Sequence, residues 1–159
     1  MEAEKSVKIM ITGAGGFVGS RLAAYYGKKY DVWGVTHKDL DLTEEAAVFK
    51  TVENYRPDVL LHCAAISDVA ECSKKPELSH AVNVLGMEYI AKACRKTGTK
   101  LVMCSSDQVY FRKQGERESL EAYLEPHRED DSETPEPLYG KQKLQGEEIC
   151  LKYQPESVV

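Results

Sequence analysis

The sequence predicts a doubly wound α/β domain, a parallel sheet with helices on both faces. Apolar runs without alternation recur along the chain, with helix-like stretches between them. That is the pattern of parallel strands covered on both sides and joined by helical crossovers. The first run, residues 7–12, leads directly into Gly13-Ala14-Gly15-Gly16-Phe17-Val18-Gly19 and a helix-like stretch. A strand, a Gly-rich turn and a helix N-terminus in that order form a site for a pyrophosphate. The length, 159 residues with 42% hydrophobic and 30% charged side chains, suits one globular domain with a real core.

In chain order, residues 7–12 give the first strand and residues 17–26 the first helix. Gly13 is assigned the tight turn, Gly16 the close approach to an anion and Gly19 the packing of helix on strand. Residues 30–36 read as the second strand. Thr43, followed by Glu44 and Glu45, reads as a cap with acids in the first helical turn, and Pro57 ends that helix. Residues 58–64 are a continuous apolar strand. Residues 68–75 are polar and stop at Pro76. A long helix is expected over 77–97, interrupted by Gly86 and stopped by Gly98. Residues 100–105 give the fourth strand, 111–137 a long charged loop with at most one helical turn, and 138–153 the last helix. Ser157-Val158-Val159 reads as the start of another strand.

The bulk properties exclude several partners. A formal net charge of −5 lacks the basic footprint of a nucleic-acid binder. No apolar run approaches the roughly 18 residues of a membrane span. The N-terminus runs straight into a strand, so no signal peptide is expected. The five cysteines are odd in number and include no C-x-x-C pair, which points to neither a disulfide framework nor a zinc site. A reducing, cytoplasmic setting fits, with Cys63 and Cys104 as buried small apolar residues of strands.

The chemistry-bearing residues lie late in the chain. Tyr139 and Lys143 are four residues apart, on one face of a helix. A cation beside a phenol lowers its pKa from about 10, so the pair could serve as an acid/base. Alone, Tyr-x-x-x-Lys also fits an exposed helix surface. Ser105-Ser106 at a strand end adds a hydroxyl able to bond a carbonyl oxygen.

With the Gly-rich turn before them, these features resemble the extended short-chain dehydrogenases/reductases, and among them the dTDP-4-dehydrorhamnose reductase group. The matching stretches are residues 11–19, Asp39-Leu40-Asp41-Leu42-Thr43, Arg56-Pro57-Asp58-Val59, Cys63-Ala64-Ala65, Pro76-Glu77-Leu78, Asn83-Val84, Ser105-Ser106-Asp107-Gln108-Val109-Tyr110 and residues 137–144. The resemblance implies a Rossmann-like NAD(P)-binding domain and reduction of a nucleotide-linked keto-sugar. It makes Tyr139 the catalytic acid, Lys143 its tuner and ribose ligand, and Ser106 the carbonyl partner. Gly13, Gly15, Gly16, Phe17, Val18 and Gly19 would hold the pyrophosphate. Asp41 and Leu42 would meet the adenine, Ala64 and Ala65 would lie along the cofactor, Asn83 would support the active site from its helix, and Ser105 would join the cofactor-binding residues. A homodimer is admitted as an assembly.

The departures from the group carry information too. No acid stands directly at the end of the second strand, where Thr36, His37 and Lys38 lie. The usual partner of an NAD ribose is therefore missing, and Lys38 facing a 2′-phosphate favours NADP slightly over NAD. The turn after Phe111 is unlike the group's, and the loop reaching His127, read as a solvated histidine, is longer. Family members continue past the equivalent of Val159 to complete the sheet and build a substrate lobe, so this domain is expected to be incomplete at its C-terminus. Two other readings stand beside the reductase. One is a non-catalytic NAD(P)-binding module resembling the methionine adenosyltransferase beta subunit. The other is a sugar-nucleotide epimerase or dehydratase, for which Asp107 beside Ser106 is the relevant acid.

Overall fold

Among the described residues, four parallel strands make one sheet in the order β2-β1-β3-β4. They are β1 (Lys8–Thr12), β2 (Asp31–Val35), β3 (Val59–His62) and β4 (Lys100–Met103). The computed structural model describes residues 6–110, 126–128 and 130–159. Val158 bridges Val102 in parallel, its amide donating to the Leu101 carbonyl and its carbonyl accepting from the Met103 amide. The strand signal at the last residues therefore appears beside β4. Loop 111–137 falls largely outside the described residues. Its described part, 126–128 and 130–137, carries no helix or strand.

Among the described residues the helices are α1 (Phe17–Tyr26), α2 (Glu45–Tyr55), α3 (Val69–Lys74), α4 (Pro76–His80), α5 (Gly86–Thr97) and α6 (Leu138–Tyr153). The step from β1 to β2 runs opposite to the steps from β2 to β3 and from β3 to β4. Right-handed crossovers then put α1 on one face and α2 and α5 on the other. The main core lies between the sheet and α2, α5 and α6, around Met10, Leu60, Leu101, Val48, Met87 and Ile90. Ile9 and Ile11, of opposite parity in β1, are buried outside that cluster.

Local details differ from the sequence reading in four places. Thr43 does not cap α2. Its hydroxyl donates to Asp41 Oδ1 at 2.7 Å, and Glu44 occupies the cap position. The polar stretch 68–75 is helical over Val69–Lys74, because the Asp68 carboxylate accepts from the Glu71 amide at 2.7 Å and starts α3. The long helix begins at Pro76, and a π turn over Ala81–Leu85 joins α4 to α5. β3 and β4 end at His62 and Met103, leaving Cys63 and Cys104 in the connections that follow.

Two contacts tie the strand ends together. Gly13 has φ +70°, and a Cβ there would stand 2.7 Å from the Ala64 amide nitrogen. A Cβ on Gly19 would stand 2.3 Å from the Gly13 carbonyl oxygen. The second contact is buried. Thr12 Oγ1 and His62 Nδ1 are 2.9 Å apart between β1 and β3. Burial first, and then the charge of Lys143, hold the His62 pKa down at about 3.

Gly19→Ala is expected to cost about 1–3 kcal/mol by overpacking, lowering the midpoint of thermal unfolding by roughly 2–4 °C per kcal/mol. The neutral His62 gives a pH dependence of known sign. Its folded pKa lies below its unfolded value of about 6.5, so its contribution is full above that pH. It is lost as pH falls toward about 3, at a rate approaching about 1.4 kcal/mol per pH unit. Urea midpoints at about pH 7 and about pH 5 should differ less for His62→Asn than for the parent.

Candidate active site

A groove of about 690 Å³ opens at the carboxyl ends of β1, β2 and β3. It lies where the direction of winding reverses between β1 and β3, the place where open α/β sheets take ligands. Gly13, Gly15 and Gly16 line one wall, and Ala64 and Ala65 another. Lys38 stands at the β2 side, and Asp41 and Leu42 stand with Leu40. The walls near the turn are backbone and small side chains, so a bulky anion could approach the main chain there. Phe17 and Val18 open α1 with exposed side chains. Their amides belong to the helix's first turn, which no intrahelical carbonyl satisfies. Arg21 stacks on the Phe17 ring, 3.6 Å from its centroid, and donates to the Phe17 carbonyl.

The acids near β2 are already engaged. Asp39 Oδ2 accepts from the Thr36 amide at 2.9 Å and the Thr36 hydroxyl at 2.7 Å. Those two bonds hold its pKa below the ordinary carboxylate value. Asp41 Oδ1 accepts from the Thr43 hydroxyl and amide, which lower its pKa in the same way. Asp39 therefore folds the loop around Thr36, and Lys38 is the charged side chain of that loop on the groove wall.

A second group of residues stands on α6 and the β4 connection. Tyr139 and Lys143 share the buried face of α6, as their spacing predicts. Gly140 lets α6 approach the 3₁₀ turn Asp107–Tyr110, since a Cβ there would stand 2.4 Å from the Gln108 carbonyl. That approach brings Tyr139 beside Ser106, whose hydroxyl acts on the phenol. Ser106 Oγ also accepts from the Gln108 amide at 3.2 Å. Ser105 instead donates to Glu147.

The Tyr139 pKa is raised, the reverse of the shift expected from a neighbouring cation. Burial raises it most, the Ser106 hydroxyl opposes, and Cys72, Asp107 and Cys104 raise it further. Lys143 donates to the carbonyl of Cys104, and burial lowers its own pKa.

Asn83 stands in the π turn over Ala81–Leu85 and reaches the groove through Ile66. Its Oδ1 accepts from the Ile66 amide at 2.8 Å. Its Nδ2 donates to the Ile66 carbonyl at 3.0 Å and to Gln142 Oε1 at 2.9 Å. It thus clamps Ile66, which lines the groove, without lining it itself. Gln142 continues the network by donating to Ser79 at 2.8 Å. One signal for Gln142 lay unused: it is three residues from Tyr139, on the same helix face.

Cys63 and Cys104 are only half buried, and their sulfurs are 3.4 Å apart. Cys63 lines the groove, and the Cys104 carbonyl holds Lys143. The cysteine pair therefore joins the groove to the Ser106–Tyr139–Lys143 group. His127 is not simply solvated: it stacks on Tyr110 at 5.3 Å and lies 3.3 Å from Asp131.

Comparison with known proteins bears on this geometry. The RmlD substrate binding domain family matches residues 7–159. A dTDP-4-dehydrorhamnose reductase of Mycobacterium tuberculosis is 32% identical over 158 residues, covering 99% of this chain and 50% of that protein. The methionine adenosyltransferase 2 subunit beta of Xenopus laevis is 33% identical over 157 residues, covering 92% of this chain and 43% of that protein. The crystal structure of dTDP-4-dehydrorhamnose reductase from Bacillus anthracis in complex with NADP superposes with a TM-score of 0.82. It is 31% identical and is covered over 51% of its length by 96% of this chain. The chain spans about half the length of these relatives. The match over nearly every residue shows that the chain belongs to the family of the RmlD substrate binding domain.

Proposed function

We propose that this chain is the cofactor-binding half of an NAD(P)-dependent reductase acting on a nucleotide-linked keto-sugar. The carrying observation is the groove at the Gly-rich turn, joined through Cys63 and Cys104 to Ser106, Tyr139 and Lys143. The groove fits an extended dinucleotide: Gly13, Gly15 and Gly16 leave room for a pyrophosphate, and Leu40 and Leu42 offer an apolar seat for a base. The first amides of α1, at Phe17 and Val18, face the same negative charge in this reading. Lys38 would take a 2′-phosphate, because Asp39 is held by Thr36. The NADP complex of the Bacillus anthracis relative supports that preference.

A bound nicotinamide would supply the hydride. The chain's own residues handle the proton and the orientation. Ser106 orients the ketone oxygen by hydrogen bonding, and Tyr139 delivers a proton to it. The raised Tyr139 pKa keeps the phenol protonated at neutral pH, the form a proton donor needs. Lys143, fixed on the Cys104 carbonyl, holds the cationic end of the group. A regulatory cofactor-binding module is the second reading, supported by the identity to the methionine adenosyltransferase beta subunit. It keeps the groove and gives up the proton transfer.

Fluorescence titration separates the two cofactors. Lys38→Ala should weaken NADPH binding about 10-fold or more, about the worth of a charge-assisted hydrogen bond, and leave NADH nearly unchanged. Equal loss for both would remove Lys38 from the 2′-phosphate site. For turnover, the chain is fused to the second half of a dTDP-4-dehydrorhamnose reductase. Tyr139→Phe should keep cofactor affinity while kcat falls on the order of 10²–10⁴. Cofactor binding without any reduction by the unmutated fusion would favour the regulatory reading.

A further inference from the structure

The parallel register pairs Leu61 with Val102 and His62 with Met103, and the Cys104 amide donates to the His62 carbonyl. One residue further on, Cys63 therefore stands opposite Cys104. Neighbouring positions in register send their side chains to the same side. This puts the two sulfurs 3.4 Å apart, as free thiols. Adjacent parallel strands are about 4.8 Å apart, inside the Cα–Cα range that a disulfide spans. Closing the bond needs a sulfur approach of about 1.4 Å, toward the usual S–S length of about 2.05 Å. The other three cysteines, Cys72, Cys94 and Cys150, are buried.

We propose that Cys63 and Cys104 form a dithiol–disulfide site that takes a hydroperoxide as its oxidant and closes at the wall of the groove. The two sulfurs are not equivalent. The sulfurs share one hydrogen bond in which either thiol can donate; that contact first, and then Lys143 held at the Cys104 carbonyl, lowers the Cys104 pKa. The same contact, together with burial, pushes the Cys63 thiol up. Cys104 is the thiolate that attacks the terminal oxygen of the peroxide. The O–O bond breaks, the sulfur becomes a sulfenic acid, and the leaving oxygen departs as hydroxide or alkoxide and takes up a proton. Cys63 sulfur then attacks the sulfenic sulfur. The S–S bond forms, the S–O bond breaks, and the Cys63 proton leaves with the hydroxyl as water. Two thiols are oxidised to one disulfide, one peroxide is reduced, and an external dithiol reverses the reaction.

The site stands between the two functional groups. Cys63 precedes Ala64 and Ala65 on the groove wall, and Cys104 carries the carbonyl that Lys143 bonds. Drawing the sulfurs together moves both connections, so oxidation weakens dinucleotide binding. This effect rests on the cofactor reading above, whereas disulfide formation does not.

The test treats the 159-residue chain with hydrogen peroxide, alkylates the remaining thiols and maps peptides by mass spectrometry. The expected result is a Cys63–Cys104 linked peptide that dithiothreitol removes, with Cys72, Cys94 and Cys150 still reduced. Cys63→Ser and Cys104→Ser should each abolish that peptide. In parallel, the NADPH Kd of the oxidised chain should rise several-fold and recover on reduction, in the parent and in neither variant. Free Cys63 and Cys104 after treatment, or linkage through another cysteine, would overturn the site. A linked peptide with an unchanged Kd would overturn its effect on binding. A linked peptide in a chain that binds no NADPH when reduced supports the thiol site and sinks the cofactor reading instead.

Discussion

Three stretches of main chain meet at Gly13, and the rest of the site depends on that meeting. The turn after β1 lies against the backbone of Ala64 and under the first turns of α1 at Gly19, with no room for a Cβ at either glycine. Because the chains touch backbone to backbone, β1, α1 and the end of β3 are fixed relative to one another without a side chain between them. The groove is the space left above this contact. Beside the contact its walls are backbone and small side chains, Gly13, Gly15, Gly16, Ala64 and Ala65.

A second set of contacts fixes the other half of the site. Gly140 seats α6 against the Gln108 carbonyl, which brings Tyr139 to Ser106. Gln142 and Asn83 bind α6 to the π turn and to Ile66. The extra residue per turn of a π segment is a common device at functional sites. Here it carries Asn83 to Ile66 while its neighbour Val82 lines the groove. This half is built from buried and part-buried polar bonds rather than from loose surface residues. Such networks hold a site rigidly when every member is paired.

Much of this was legible in the sequence, for physical reasons. Continuous apolar runs separated by helical stretches have few solutions other than a parallel sheet, and the Gly-rich run fixed which strand ends carry the groove. The four-residue spacing of Tyr139 and Lys143 placed them on one face. What escaped were effects of tertiary distance. The Tyr139 shift depends on how deeply α6 is buried, which spacing does not reveal. Thr43 read as a helix cap because its own region favours one, but Asp41 two residues earlier competes for its hydroxyl. Cys63 and Cys104 looked like core residues because each ends an apolar run. Only the register of β3 on β4 shows that they meet.

The bridge between Val158 and Val102 has a consequence for how the chain acquires its shape. After β2, each new strand adds at one growing margin: β3 beside β1, β4 beside β3, and Val158 beside β4. Spatial order thus follows the order of synthesis from β3 onward. As the polypeptide leaves the ribosome, each arriving segment finds its docking edge already made. Each of these closures spans a long stretch of chain: β3 onto β1 pairs Ile9 with Val59, β4 onto β3 pairs Val59 with Lys100, and the last bridge pairs Val102 with Val158. Because closure entropy grows only slowly with loop length, the three additions carry similar entropic costs, and the order of synthesis rather than proximity along the chain sets their sequence.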